Sequence, residues 1–309
     1  MPALSSVAIL MCTYNGESFL TEQLESFKQQ THTRWKLVVS DDGSADSTLK
    51  ILQDFHRRWG SECIRIIPGP KQGYVKNFLS LTRRSDIEAD IYAWSDQDDI
   101  WGNDKLKTAI AWLDTIAPGI PALYCGRTQL ISERGAPIGY SPCFSRSPHF
   151  TNALVQNIGG GNTMVFNQAA RRLIQETHSS LIIPSHDWWA YLLISGAGGT
   201  VYYDSAPQLL YRQHGDNLVG SNSSWRARLH RIRMLFRGRF YEWNTQNILA
   251  LESMREHLSS ENQNTLTFFM RFRTQALPFR LINLFRSHLY RQTLLGNLGL
   301  IAAAALKKL

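Results

Sequence analysis

The chain has few cysteines and no long apolar run. Cys12, Cys63, Cys125 and Cys143 are widely spaced, with no Cys-x-x-Cys pair and no metal-knuckle spacing. That excludes a zinc ribbon or a disulfide scaffold and fits a reducing, cytoplasmic setting. No stretch approaches the roughly 18 uninterrupted apolar residues of a membrane span. The opening residues MPALSSVAIL lack a basic region followed by a long apolar core, so no secretory signal is expected. Also missing are a GxGxxG after the first strand-like run and a GxxxxGK[ST] loop. Their absence argues against a dinucleotide-binding fold and a P-loop.

What is present is a globular composition. The 309 residues are 43% hydrophobic and include nine Trp, enough for a substantial core. The net charge of +8 is uneven: residues 225–309 hold 14 Lys and Arg against four Glu, while the rest is slightly acidic. The shift near Trp225 predicts a domain over residues 1–224 and a basic, mainly helical extension over 225–309.

Within the first part, short apolar runs alternate with polar turns and helical spacings. Val7 to Cys12, Trp35 to Ser40, Cys63 to Ile67 and Tyr92 to Ser95 read as buried strands. Helical patterns follow at 19–30, 46–55, 74–81 and 105–116. Strand, turn and helix in this rhythm predict βαβ units and a mainly parallel sheet with helices on both faces. Ligands of such sheets sit at the carboxyl ends of the strands. Three of those ends carry Thr13-Tyr14-Asn15, Asp41-Asp42 and Asp96-Gln97-Asp98-Asp99, which should crowd one rim. Further on, a strand is expected over 122–131, a helix over 150–156 and a strand over 163–166. Another helix should start at Ser185-His186-Asp187, followed by short strands over 199–203 and 208–210.

The acidic run is the most informative stretch. Three carboxylates in four residues repel one another and resist ionising together. Hard divalent ions such as Mg²⁺ and Mn²⁺ accept such oxygens, with substrate phosphates completing the shell. Asp96 and Asp98 are therefore a candidate cation–diphosphate seat, although an acidic turn capping the next helix fits the same residues. Asn157 to Asn162 contains three consecutive glycines, which permit close approach to a ligand or make a plain loop. Asp187 is either a first-turn acid of its helix or a carboxylate presented beside Trp188 as a general base. Tyr211 to Asn217, with Arg212 and His214, reads as a polar loop suited to phosphate or metal.

TYNG, SDDGSAD, SDQDDIW, GGGNTMVF, HDWW and YRQHGDN, in this order, resemble the GT-A-fold glycosyltransferases of family 2, most of all a bacterial rhamnosyltransferase-like branch. The resemblance spans about residues 5–220. It implies an inverting transfer of a sugar, L-rhamnose in that branch, from a nucleotide-diphospho-sugar such as dTDP-L-rhamnose. The acceptor would be a glycan or lipid-linked hydroxyl in cell-surface polysaccharide or lipopolysaccharide synthesis. It further implies that Thr13, Tyr14, Asn15, Asp41 and Asp42 contact the nucleotide, as do Gly73, Lys76 and Asn77 in a loop where the family more often carries an Arg. Asp96 would face the ribose, Asp98 and His214 the metal, and Asp187 would be the catalytic base. Gly160, Gly161, Trp188 and Arg212 would meet the acceptor or diphosphate. Transfer of glucose or galactose, or a non-catalytic nucleotide- or carbohydrate-binding module, remain alternatives.

In the basic part, Trp225 to Phe240 places Leu229, Ile232, Leu235 and Phe236 on one helical stripe among six Arg. Such a helix can pack on the catalytic domain or lie on an anionic membrane surface at the inner face of the cytoplasmic membrane. No nucleic-acid motif accompanies the charge, so no nucleic-acid partner is expected.

Overall fold

The computed structural model describes residues 4–215 and 239–309. Strands β1 (Val7–Thr13), β2 (Trp35–Asp41), β3 (Ile64–Pro68) and β4 (Ile91–Ser95) alternate with helices α1 (Leu20–Lys28), α2 (Thr48–Trp59) and α3 (Tyr74–Arg83). β1 pairs in parallel with β2 and β4, and β2 with β3. With β9 (Val165–Asn167), β6 (Ala122–Gly126) and β10 (Thr200–Asp204) they form a seven-stranded sheet in the order β10-β6-β9-β4-β1-β2-β3. β9 alone runs antiparallel to its neighbours β4 and β6, so the sheet is mixed and mainly parallel, as expected.

The side-chain period of two explains how both faces are covered. On β1, Val7, Ile9 and Met11 join a core with α1, α2 and α4 (Lys105–Leu113). Ala8, Leu10 and Cys12 face the opposite core, built from α3, α6 (Gln168–Glu176) and α7 (His186–Gly196). A fully buried strand of a parallel sheet must be apolar throughout, which is why VAILMC shows no alternation.

The structure departs from the sequence expectations in four places. The run 122–131 is not one strand: it bends after Gly126 and resumes as β7 (Gln129–Ser132) in a second sheet. That four-stranded sheet, ordered β5-β11-β7-β8, adds β5 (Ile100–Trp101), β8 (Pro137–Tyr140) and β11 (Leu209–Gln213). Tyr211, Arg212 and Gln213 are consequently strand residues rather than loop. The helical segment at 150–156 shrinks to one turn, α5 (Phe150–Ala153), and α6 had no counterpart in the reading of the sequence.

From Arg239 the chain is helical: α8 (Arg239–Ser253), α9 (Ser260–Thr274), α10 (Leu277–Arg286) and α11 (Leu294–Ala305). Ile248, Leu251, Leu266, Phe269 and Phe272 enter the same core as α7. Asn262 Nδ2 donates to the carbonyls of Ser195 and Gly196 at 3.1 and 3.0 Å, closing the C-terminal end of α7. Most of the Trp225–Phe240 stripe lies outside the described residues. Among the described residues no helix is long and apolar enough to cross a membrane.

Candidate active site

Parallel register brings the predicted strand ends together. Thr13 lies opposite Asp41, and Met11 opposite Ser95, so β1, β2 and β4 discharge their polar turns at one rim. Asp41 is buried and holds that rim: its carboxylate accepts from Thr13 Oγ1 at 2.9 Å, Ser44 N at 2.9 Å and Gly43 N at 3.1 Å. Asp42 accepts from the amides of Lys71 and Gly73 at 2.6 and 2.8 Å, folding the 69–73 loop over the sheet edge. Gly69 is required there, since a Cβ would lie 2.8 Å from Asp42 Oδ1 and 2.9 Å from the Asp41 carbonyl.

The acidic loop is tied to this rim by Gln97, whose side-chain amide accepts from Tyr14 N at 2.8 Å and donates to Tyr14 O at 3.0 Å. Tyr14 and Asn15 remain exposed beside it. Asn77 is buried, bridging α3 to β2 through Ser40. Lys76 Nζ donates to the carbonyls of Ser179 and Leu181, at 2.5 and 3.0 Å. Both residues thus brace the rim from its side.

Asp96, Asp98 and Asp99 each offer one carboxylate oxygen within 4.8 Å of the others. Burial, then Asp98 and Asp187, push Asp96 up to about 8. Asp99 is driven well above the usual carboxylate range by burial and by Asp98 and Asp96. Lys105, buried with its Nζ 3.2 Å from the Trp101 ring centroid, is held well below its usual value by burial, while Asp99 and Asp96 pull it back. A partly buried cluster of one sign is the setting a hard dication resolves. An all-oxygen donor set at this spacing fits one. His214 Nε2 lies 2.8 Å from Asp98 Oδ2 and brings an imidazole to the same oxygen.

β11 delivers His214 and Arg212. Arg212 is 1% exposed; its guanidinium donates to Glu22 Oε2, Glu133 O and Asp98 O at 2.7, 2.7 and 3.2 Å, and its amide donates to Asp99 at 3.3 Å. It therefore locks the acidic loop from behind.

The glycine turn is the hinge of the whole arrangement. Gly161 N donates to Asp187 Oδ2 at 3.1 Å, and the next residue, Asn162, donates through Nδ2 to Asp99 Oδ2 at 2.6 Å. Asn162 O accepts from Lys105 Nζ at 2.8 Å. Two consecutive residues thus join Asp187 to the acidic loop. Asp187 also accepts from Trp188 N at 2.6 Å and from Ser185 Oγ. Gly160 stays exposed at the turn's outer side, while Trp188 is buried in the core with its indole N–H donating to Ala153 O at 2.7 Å.

His186 stacks on Phe78 at 4.2 Å with its ring also against Trp94. Neither ring nitrogen has a hydrogen-bond partner among the described residues. Burial holds it down to about 4, against the pull of Asp187, so it is neutral.

Sequence reasoning missed Gln97, Lys105 and Asn162 as site residues. A lysine opening the helix directly behind three aspartates was the available signal for Lys105. Asn162 was visible only as the end of the glycine run.

A family model described as "Glycosyl transferase family 2" matches residues 8–175. The chain is 32% identical, over 75% of its length and 80% of the relative's, to the dTDP-rhamnosyl transferase RfbG of Shigella flexneri. Among solved structures, TarS residues 1–349 of S. aureus in complex with UDP superposes with a TM-score of 0.59 at 15% identity, covering 98% of this chain and 88% of that one. The mannosyltransferase PcManGT of Pyrobaculum calidifontis, in complex with GDP-Man and Mn²⁺, gives 0.52 at 14% identity, with 99% and 86% covered.

Proposed function

Because the chain belongs to glycosyl transferase family 2, we propose that it moves L-rhamnose, with inversion, from dTDP-L-rhamnose to a hydroxyl of a glycan or lipid-linked acceptor. The setting is surface polysaccharide or lipopolysaccharide assembly at the inner face of the cytoplasmic membrane. The sugar is argued from the similarity to RfbG. The observation that carries the reaction is the Gly161–Asn162 bridge, which puts one carboxylate apart from, yet rigidly joined to, a cluster of three.

In this reading Thr13, Tyr14, Asn15, Asp41 and Asp42 form the nucleotide rim, with Lys76 and Asn77 bracing it, and Asp96 meets the ribose. Asp98 and His214 would hold Mg²⁺ or Mn²⁺, which would supply positive charge against the departing diphosphate. The acceptor hydroxyl enters over Gly160 and Gly161. Asp187 takes its proton, a step worth about 100- to 10,000-fold for a positioned base. Trp188 and Arg212 support this from the wall and from behind, instead of touching the sugar. Gly161 N, Trp188 N and Ser185 Oγ hold the Asp187 carboxylate in place, so little reorganisation is needed at the moment of transfer.

The test is a panel of nucleotide sugars read by protection against heat unfolding and by release of free nucleoside diphosphate, since a bound donor stabilises by mass action. Protection and release with dTDP-L-rhamnose are expected. Turnover of a glucosyl or galactosyl donor instead would reassign the sugar, and protection without release would mean a binding module.

A further inference from the structure

The last two helices, α10 and α11, pack on each other through Arg280. Its guanidinium donates to the carbonyls of Ala304 and Ala305 at the end of α11, at 2.5 and 3.0 Å. Their inner residues Leu284, Leu300, Ala303 and Ala304 are buried in the main core. Their outer residues are equally apolar. Phe279, Ile282 and Phe285 repeat every three positions along α10, and Leu294, Leu295 and Leu298 follow on α11; all six are more than half exposed. Leaving so many large apolar side chains in water on two neighbouring helices is unusual for a free surface and marks an interaction site.

The charge of this segment narrows the occupant. From Asn262 to Leu309 there are seven Lys and Arg and no Asp or Glu. Arg271, Arg286 and Lys307 are exposed. A second copy of the chain docking on the same face would bring these cations together, which like-charge repulsion opposes. A basic surface carrying Phe, Ile and Leu instead matches an anionic bilayer, where apolar side chains enter the boundary region and cations meet the headgroups. The helices are too short to cross: 12 residues of α11 rise about 18 Å, against a hydrocarbon core of about 30 Å.

We propose that α10 and α11 form the surface by which this protein lies on anionic membrane, with Phe279, Ile282, Phe285, Leu294, Leu295 and Leu298 entering the lipid boundary. The inference deepens the reading of a membrane-borne acceptor and rests on it for its purpose, while the surface is read from the helices alone. It places the dock on residues 277–298, downstream of the Trp225–Phe240 stripe.

The test uses the full chain and vesicles of phosphatidylcholine with or without phosphatidylglycerol. At low salt the protein should sediment with the anionic vesicles and stay in solution with the neutral ones. The double variant Phe285→Gln/Leu295→Gln, at exposed positions, should weaken sedimentation by about tenfold or more with unchanged circular dichroism and melting. Its release of nucleoside diphosphate from the donor in the absence of acceptor should match the parent chain, which separates loss of docking from loss of the catalytic reading. The proposal is overturned if the parent chain does not sediment with anionic vesicles. It is equally overturned if the variant sediments as well as the parent, or if the variant instead abolishes a dimer seen by light scattering.

Discussion

Gly161→Ala tests how tightly the glycine turn governs the site. A Cβ built on Gly161 would lie 2.3 Å from His186 Nε2, whereas ordinary contact begins at 3.4 Å. About 1 Å must therefore be found. The imidazole cannot swing freely, because it is stacked on Phe78 at 4.2 Å and wedged against Trp94 at 4.8 Å. The backbone of the turn yields instead, drawing Gly161 N away from Asp187 and loosening Asn162 from Asp99. A misplacement of about 1 Å at a reacting group costs about 100-fold in rate. Steady-state kinetics should accordingly show kcat reduced by about 100-fold with the donor KM within about twofold, because the nucleotide rim is built on other strands. The double variant Gly161→Ala/His186→Ala removes the obstructing ring and should regain at least about tenfold of the lost kcat, as coupling between contacting residues requires. An alanine variant with parental kcat would refute the reasoning, and so would a double variant no better than the single one.

Two further outcomes follow from the same geometry. Asp98→Ala should lower Mn²⁺-dependent donor binding by about 100-fold in calorimetry, and unchanged binding of both would remove the cation seat. His186 is held down to about 4 by burial, below the roughly 6.5 of an unfolded chain. Its contribution to stability is therefore complete above about pH 6.5 and is lost as pH falls toward 4, at about 1.4 kcal/mol per unit, or about 2 kcal/mol by pH 5. Thermal denaturation of His186→Phe should show a shallower fall in Tm between pH 7 and pH 5; parallel slopes would exclude His186 as the source.

The convergence at the rim was legible because parallel strands obey a simple rule. Once VAILMC, WKLVVS and YAWS are strands, their following turns must meet at one edge. Asp187 is linked to the acidic cluster only through Gly161 and Asn162, in a glycine run that periodicity leaves blank. The second sheet was hidden for local reasons: β5 is two residues long, and β8 contains Pro137 and Gly139, which weaken any strand pattern. The run at 122–131 looks continuous, and only the tertiary bend after Gly126 divides it between two sheets. Arg212 turns inward to Glu22 and Glu133, which are 190 and 79 residues away in sequence. Nothing in YRQHGDN announces that its arginine turns inward. Lys105 is a similar case, a charged side chain at a helix start buried because its Nζ reaches Asn162 O, 57 residues on, and the Trp101 ring.

Asp187→Asn offers the most direct test of the central idea, that one aspartate set apart from the cation seat accepts the proton of the acceptor hydroxyl. Single-turnover transfer should fall by about 100-fold or more, while donor binding in the presence of Mn²⁺ keeps the parental Kd. An asparagine variant that transfers sugar at a rate near the parent's would contradict it.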